Sequence, residues 1–272
     1  MNKKVITSIH IGPTERFYKH IQAIAAGFGA ALLLILVVSV SVCPADEGNA
    51  DHQLRVELFP EQQMLQAVDQ ITIEKSPGST LDFTLSRRAE QIEVTVNGRP
   101  REFDFKDGRL RLGLTVAEKS KKIRITIRYT AVFDDPVPIR PLNADNPGYG
   151  VSATISDRGS FLLAGSGWYP QWIDGQSSYA LNVIAPQGML AVTAGQSKGH
   201  VTGNGKTEST WMISDPIRGL SLSVGPYTVR EKKVGNITAA TYFFPETDHL
   251  SGAYLDATVR YLKLYQDLFG PY

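Results

Sequence analysis

From residue 52 to residue 245 the apolar side chains recur at every second position, and this period of two constrains the chain more than any other feature. Successive side chains of an extended strand point to opposite faces, so residues 53–59 (QLRVELF), with Leu54, Val56 and Leu58 in one row, read as a half-buried strand. Residues 66–74 and 79–85 repeat the pattern, and residues 122–133 (KIRITIRYTAVF) are the longest strand candidate. Within residues 91–114 the pairs Asn97-Gly98 and Asp107-Gly108 separate alternating runs. Both pairs accept the positive φ angles of a type I′ turn, which predicts a three-strand meander. The prolines of residues 134–150 deny ladder hydrogen bonds, so that segment reads as a loop. Further strands are expected within residues 160–165, 179–185, 190–195, 207–213 and 220–225, with turns at residues 186–188 and at Asn204-Gly205, and residues 227–244 read as a hairpin. No long helical pattern interrupts this region. The expected fold is all-β, a two-layer antiparallel sandwich or saddle, with a transmembrane or signal helix before it and an amphipathic helix after it.

The two ends depart from the period of two. From Ile21 to Val42 no residue is charged. Roughly 20 apolar residues cross a bilayer as a helix, whereas the apolar part of a secretory signal runs about 7 to 15, so the length favours an uncleaved anchor. Lys3, Lys4, Arg16 and Lys19 precede the run and Asp46, Glu47 and Asp51 follow it, which places the N-terminus in the cytoplasm and the body outside. Cleavage near Ala45 and lipidation at Cys43 remain open alternatives, and each also exports the body. Residues 1–45 are thus a basic and membrane or signal segment, 46–51 a linker, 52–246 the β domain and 247–272 a helix. For that helix Thr247 or Asp248 is the expected cap, Leu250, Tyr254, Ala257, Tyr261, Leu264 and Leu268 recur at three and four, and Gly270-Pro271 is the stop. Thr258, Leu262, Tyr265 and Phe269 widen the apolar arc to about half the circumference, more than a helix lying on one sheet needs. Partners on two sides are expected.

The chemistry-bearing residues exclude more than they assign. Lys and Arg total 28 against 27 Asp and Glu, a net charge of +1, so no accumulated positive face points to nucleic acid. A single cysteine, Cys43, rules out an internal disulfide framework and a cysteine-based zinc site. Of the histidines His10, His20, His52, His200 and His249, none stands four residues from another, so the helical zinc pair is absent. His249 lies beside Glu246 and Asp248, but acids there complement a helix N-terminus better than they make a metal cluster. The stretch GNGKT (203–207) is flanked by alternating runs and reads as a hairpin turn rather than a phosphate loop. The triplet NIT (236–238) fits a glycosylation acceptor. No catalytic, cofactor-binding or metal residue is assigned. The remaining candidates are Trp168, Tyr169 and Trp172 of WYPQW, read as a cleft or domain-interface cluster or as core in preference to an exposed glycan or peptide platform. On these residues alone the chain is an exported β module, and a membrane-tethered binding or adhesion sandwich without peptidase activity is one reading of it.

The order of segments resembles the zinc aminopeptidases of the aminopeptidase N family, the gluzincins. LRVELFPEQQMLQAVDQITIE is similar to that family's opening pair of strands. WYPQW, YALNVIAPQGMLAVTAG, RGLSLSVGPYTV and ATYFFPETDHLSGAYLDATVRYLKLYQDLFGPY resemble, in order, the later landmarks of its N-terminal domain and the first helix of its catalytic domain. The resemblance implies a β domain that caps a peptide-binding cleft, and a chain that stops before the Gly-x-Met-Glu-Asn strand and the His-Glu-x-x-His zinc helix. Zinc is implied only for a full-length relative, with no ligand in this chain, and peptides are bound only if a missing or separately encoded catalytic domain completes the cleft. Many members face the substrate's amine with Gln or Glu upstream of the landmark matched to Tyr169-Pro170. Here that stretch is SDRGSFLLAGSG, so the role is not carried over. The resemblance explains the wide apolar arc of the last helix as a surface for a catalytic domain.

Overall fold

The computed structural model describes residues 48–74, 79–116, 118, 122–137 and 150–271. The basic and apolar segment over residues 1–45 lies outside the described residues, and among the described residues no helix is long and apolar enough to cross a membrane. The strands, numbered in chain order, form four sheets. The largest holds β1 (Gly48–Phe59), β2 (Met64–Ile73), β4 (Ala89–Val96), β5 (Arg99–Pro100), β8 (Ile123–Val132), β12 (Gly175–Pro186), β14 (Gln196–Gly203) and β15 (Lys206–Ile217), in the order β14-β15-β12-β1-β2-β8-β4-β5. A second sheet orders β11 (Gln171–Trp172), β3 (Thr80–Thr84), β7 (Arg109–Gly113) and β6 (Asp104–Lys106). A third orders β13 (Leu190–Thr193), β16 (Leu222–Gly225), β10 (Gly159–Leu162) and β9 (Ala153–Ser156). The hairpin of β17 (Thr228–Val234) and β18 (Ile237–Phe243) stands apart from these and leads into the helix α1 (Ser251–Phe269).

Alternation places the core. Leu54, Val56 and Leu58 of β1, Leu65, Ile71 and Ile73 of β2, Ile123, Ile125 and Ile127 of β8, and Leu181 and Val183 of β12 are buried on one face of the large sheet. Leu81, Phe83, Leu110 and Leu112 of the second sheet and Ile155, Leu162, Leu222 and Val224 of the third join them in one contiguous cluster. Removing these side chains from water is the main favourable term of folding.

Three expectations change. The sheets are not wholly antiparallel, because β1 pairs with β12 in parallel from Gly48↔Gly175 to Glu57↔Ile184. A tight turn at residues 60–63 forces β2 antiparallel on one side of β1, while β12 arrives on the other side after a long excursion and is free to run either way. The meander is instead two hairpins in two sheets: β4 and β5 close at Asn97-Gly98 in the large sheet, β6 and β7 at Asp107-Gly108 in the second. Positive φ at all four turn residues gives each turn the twist that paired strands need. The polar segment read as a linker over 46–51 is, from Gly48 onward, the start of β1.

The last helix begins later than its expected caps. Pro245–Leu250 form a 3-10 turn, and Leu250 at the helix N-cap makes no side-chain capping bond. Thr247 donates its hydroxyl to the Phe244 carbonyl at 3.2 Å, and Asp248 accepts from Arg230 and from the Ser251 hydroxyl. Gly270, at φ 95°, ends the helix where the sequence places its stop.

Candidate functional site

Trp168, Tyr169 and Trp172 are 0%, 1% and 2% exposed, so the structure puts the cluster in the core and not on a cleft wall. β11 carries Trp172 onto β3, opposite Phe83, and draws the WYPQW segment across the inner face of the large sheet. There it is pinned by polar contacts. The Trp168 indole donates to the Leu220 carbonyl at 2.9 Å, and the Tyr129 hydroxyl donates to the Trp168 carbonyl at 2.7 Å. The Tyr169 hydroxyl accepts from the Leu220 amide at 3.0 Å and lies 3.4 Å from that of Tyr179.

Beside this segment sits a pair that the sequence reading passed over. His52 Nδ1 and Asp69 Oδ2 are 2.7 Å apart, both fully buried, and the Tyr179 ring stacks on the imidazole at 4.8 Å. The signal was available: His52 precedes Leu54, Val56 and Leu58 on the buried row of β1, and Asp69 stands between Ala67 and Ile71 on that of β2. A polar residue on the apolar parity of a strand must find a partner inside. Burial pushes the Tyr129, Tyr169 and Tyr179 hydroxyls upward, so they remain protonated and serve as neutral links of the cluster. With His52 and Asp69 closed to solvent, the cluster fastens the WYPQW segment to the sheet.

Two accessible features bear on the site instead. A groove of about 930 Å³ runs along β9, β10 and β16, lined by Arg158, Phe161 and Ser223 from the sheet and by Tyr227, Phe244 and Glu246 from the segments that follow it. Phe161 and Leu163 point outward from β10 and its continuation, so the stretch where the resemblance would place an amine-facing Gln or Glu presents apolar side chains. Beyond the groove, α1 buries only Ser251 and Leu255. Tyr261, Leu264, Tyr265, Leu268 and Phe269 are exposed, Phe269 to 82%, and the rings of Tyr261, Tyr265 and Phe269 follow one another at 6.3 and 6.2 Å. These are among the residues whose apolar arc led us to expect cover from a second domain.

Charges fix the helix to the hairpin. Arg230 donates to both carboxylate oxygens of Asp248, and Lys232 Nζ lies 2.5 Å from Asp256. The Arg230 hydrogen bond holds the Asp248 carboxyl below its ordinary range against the opposing effect of burial, and Lys232 does the same for Asp256. His249 Nδ1 lies 3.2 Å from the Glu246 carbonyl, and Asp248 is engaged by Arg230. Among the described residues no group of three or more His, Cys, Asp and Glu side chains could hold a metal ion. Asn204 and Gly205 turn the β14–β15 hairpin with positive φ, as read for GNGKT.

No protein-family model and no curated protein matches the sequence. Solved structures do match the fold. An M1 zinc metallopeptidase from Deinococcus radiodurans aligns with 84% of this chain at 19% identity and a TM-score of 0.57. A point mutant of that enzyme bound to a Tyr-Ser-Ala substrate gives 20% identity and 0.56, and a two-domain M1 zinc metallopeptidase mutant bound to L-arginine gives 20% and 0.57. At this identity the likeness is one of fold. The chain spans about half the length of the structures it matches, 54% of each.

Proposed function

We propose that this chain is the non-catalytic N-terminal portion of an exported metallo-aminopeptidase-like protein, held at the membrane through residues 21–42. Its groove and helix form one wall of a peptide cleft that a catalytic domain completes. The single observation that carries this reading is the exposed aromatic face of α1 in a chain whose fold follows that of M1 metallopeptidases over 84% of its length. An apolar patch of this kind on a soluble surface marks an interaction site. The proposed occupant is the zinc-bearing half of such a protein, because α1 directly follows the β domain and its outer side has no cover among the described residues. Among the described residues no group of side chains fits a zinc ion, so this reading assigns the metal to the occupant.

The experiment is to identify the native product with an antibody to the β domain, in membrane and soluble fractions, and to read the coding sequence beyond the codon for Tyr272. The reading expects an in-frame or separately encoded His-Glu-x-x-His domain that co-purifies with the chain in the membrane fraction. A monomeric native product of this length, with no such domain encoded beyond it or co-purifying with it, would overturn it in favour of a free-standing binding module.

A further inference from the structure

We infer that residues 228–269 form a rigid arm that pivots on a glycine-floored aromatic joint, where Tyr227 and Phe244 rest on Gly159 and Gly225, and that its swing sets the width of the adjoining groove. This inference is independent of the functional reading above. The rigidity follows from contacts inside the arm. β17 and β18 pair without a break from Thr228↔Phe243 to Val234↔Ile237. Arg230 reaches from β17 to Asp248 at 2.8 Å, Lys232 to Asp256 at 2.5 Å, and Phe243 packs edge-on against Tyr254 at 5.2 Å. The two ion pairs and the ring contact therefore tie hairpin to helix, and none of the three ties either to the sheets.

The joint has a different character. Tyr227 stands where the chain passes from the sheets into the arm, and Phe244, at the far end of the hairpin, lies against it with ring centroids 5.2 Å apart. Beneath them are bare backbones. A Cβ on Gly225 would come within 2.9 Å of the Tyr227 ring and 3.2 Å of the Phe244 ring, and one on Gly159 within 3.5 Å of Phe244. A side chain at either position would interlock with the rings; its absence leaves a smooth seat on β10 and β16. A hydrogen bond between the Tyr227 hydroxyl and the Ser223 side chain also reaches across this joint. One backbone crossing, two rings and a flat floor restrain position more than angle. The groove is built across the same joint, with Arg158 and Phe161 from the sheet facing Phe244 and Glu246 from the arm, so an angular change of the arm widens or narrows it.

The test uses the full chain in detergent, with Cys43→Ser so that only introduced cysteines carry spin labels. One labelled pair, at Gln70 and Lys263, spans sheet and arm; a second, at Thr238 and Lys263, lies within the arm. Pulsed dipolar spectroscopy is expected to give a broader distribution for the first pair than for the second. Gly225→Ala, which requires no unusual φ, is expected to shift the sheet-to-arm distribution by displacing the Tyr227 ring, and Tyr227→Ala to broaden it. Both should leave the intra-arm distribution in place. A sheet-to-arm distribution as narrow as the intra-arm one and unmoved by either substitution would overturn the joint, and an intra-arm distribution that moves with it would overturn the rigid arm.

Discussion

Asp69 is a carboxylate without contact to solvent, and one histidine is what makes that tolerable. His52 supplies a hydrogen bond at 2.7 Å, while Asp69 Oδ1, His52 Nε2 and Trp172 Nε1 have no hydrogen-bond partner among the described residues. Breaking a buried pair by deleting one member leaves the other desolvated and alone, which costs about 3–5 kcal/mol. Asp69→Ala is therefore expected to lower the unfolding free energy of the full chain by an amount in that range, read as a lower urea midpoint at unchanged slope. The double variant His52→Leu/Asp69→Leu should lose less than Asp69→Ala alone, since two apolar side chains need no partner; urea titrations of the three proteins check this, and a larger loss in the double variant would refute it. Parity along the strands already marked both residues as inward-facing. What parity does not carry is which inward-facing residues meet: His52 and Asp69 come together only because β1 and β2 pair in the register His52↔Ile71. The same limit applies to WYPQW, whose aromatic content is plain while its burial depends on β3 and the large sheet closing over it.

Elements were the most legible scale, because facing and turn chemistry are local. Ile123, Ile125 and Ile127 alternate in the sequence and are buried in the structure, and each Asn-Gly or Asp-Gly pair turns a hairpin. Partner and direction are not local, which is why the parallel β1–β12 ladder and the division of β4–β7 between two sheets could not be read from alternation. The helix was legible in its arc and its stop but not in its start, where a 3-10 turn and Arg230 take up the residues read as caps. Two predictions belong here. Asp248 and Asp256 titrate below their ordinary range when paired, so their contribution is present above the unfolded-state value and is lost as pH falls through the depressed folded value. Amide exchange, corrected for its intrinsic pH dependence, should then show α1 losing protection on acidification below the ordinary aspartate range, and high salt should weaken the pairs at neutral pH. Acid-insensitive protection of α1 would contradict this. The second prediction is that deleting residues 248–272 shifts the melting of the sheets by no more than about 2–4 °C, equivalent to roughly 1 kcal/mol, because α1 buries only Ser251 and Leu255. The deletion should also abolish any self-association driven by Tyr261, Leu264, Leu268 and Phe269. A drop well beyond that range would mean that the helix is an integral part of the β domain.

For the molecule as a whole, the order of short segments pointed to the fold that the M1 structures share, though each segment alone was too brief to do so. The site was less legible, because the sequence carries no metal motif and the exposed surface of α1 is defined by what does not pack on it. The full chain, purified in detergent, is expected to hold less than one equivalent of zinc by elemental analysis and to release no chromophore from an aminoacyl reporter. A stoichiometric metal, or activity abolished by a chelator, would show that ligands lie beyond those described. The parallel pairing of β1 with β12 also imposes an order in time. β1 is the first strand described along the chain, yet the ladder partner of Gly48 is Gly175, 127 residues later (175 − 48). At about 5–20 residues per second, synthesis leaves one edge of β1 bare for roughly 6–25 s after β1 is made. A strand edge in that state is a template for pairing with other nascent chains. Until the ribosome has delivered β12, β2 alone can guard that strand, and a chaperone that shields bare strand edges would have this interval in which to act.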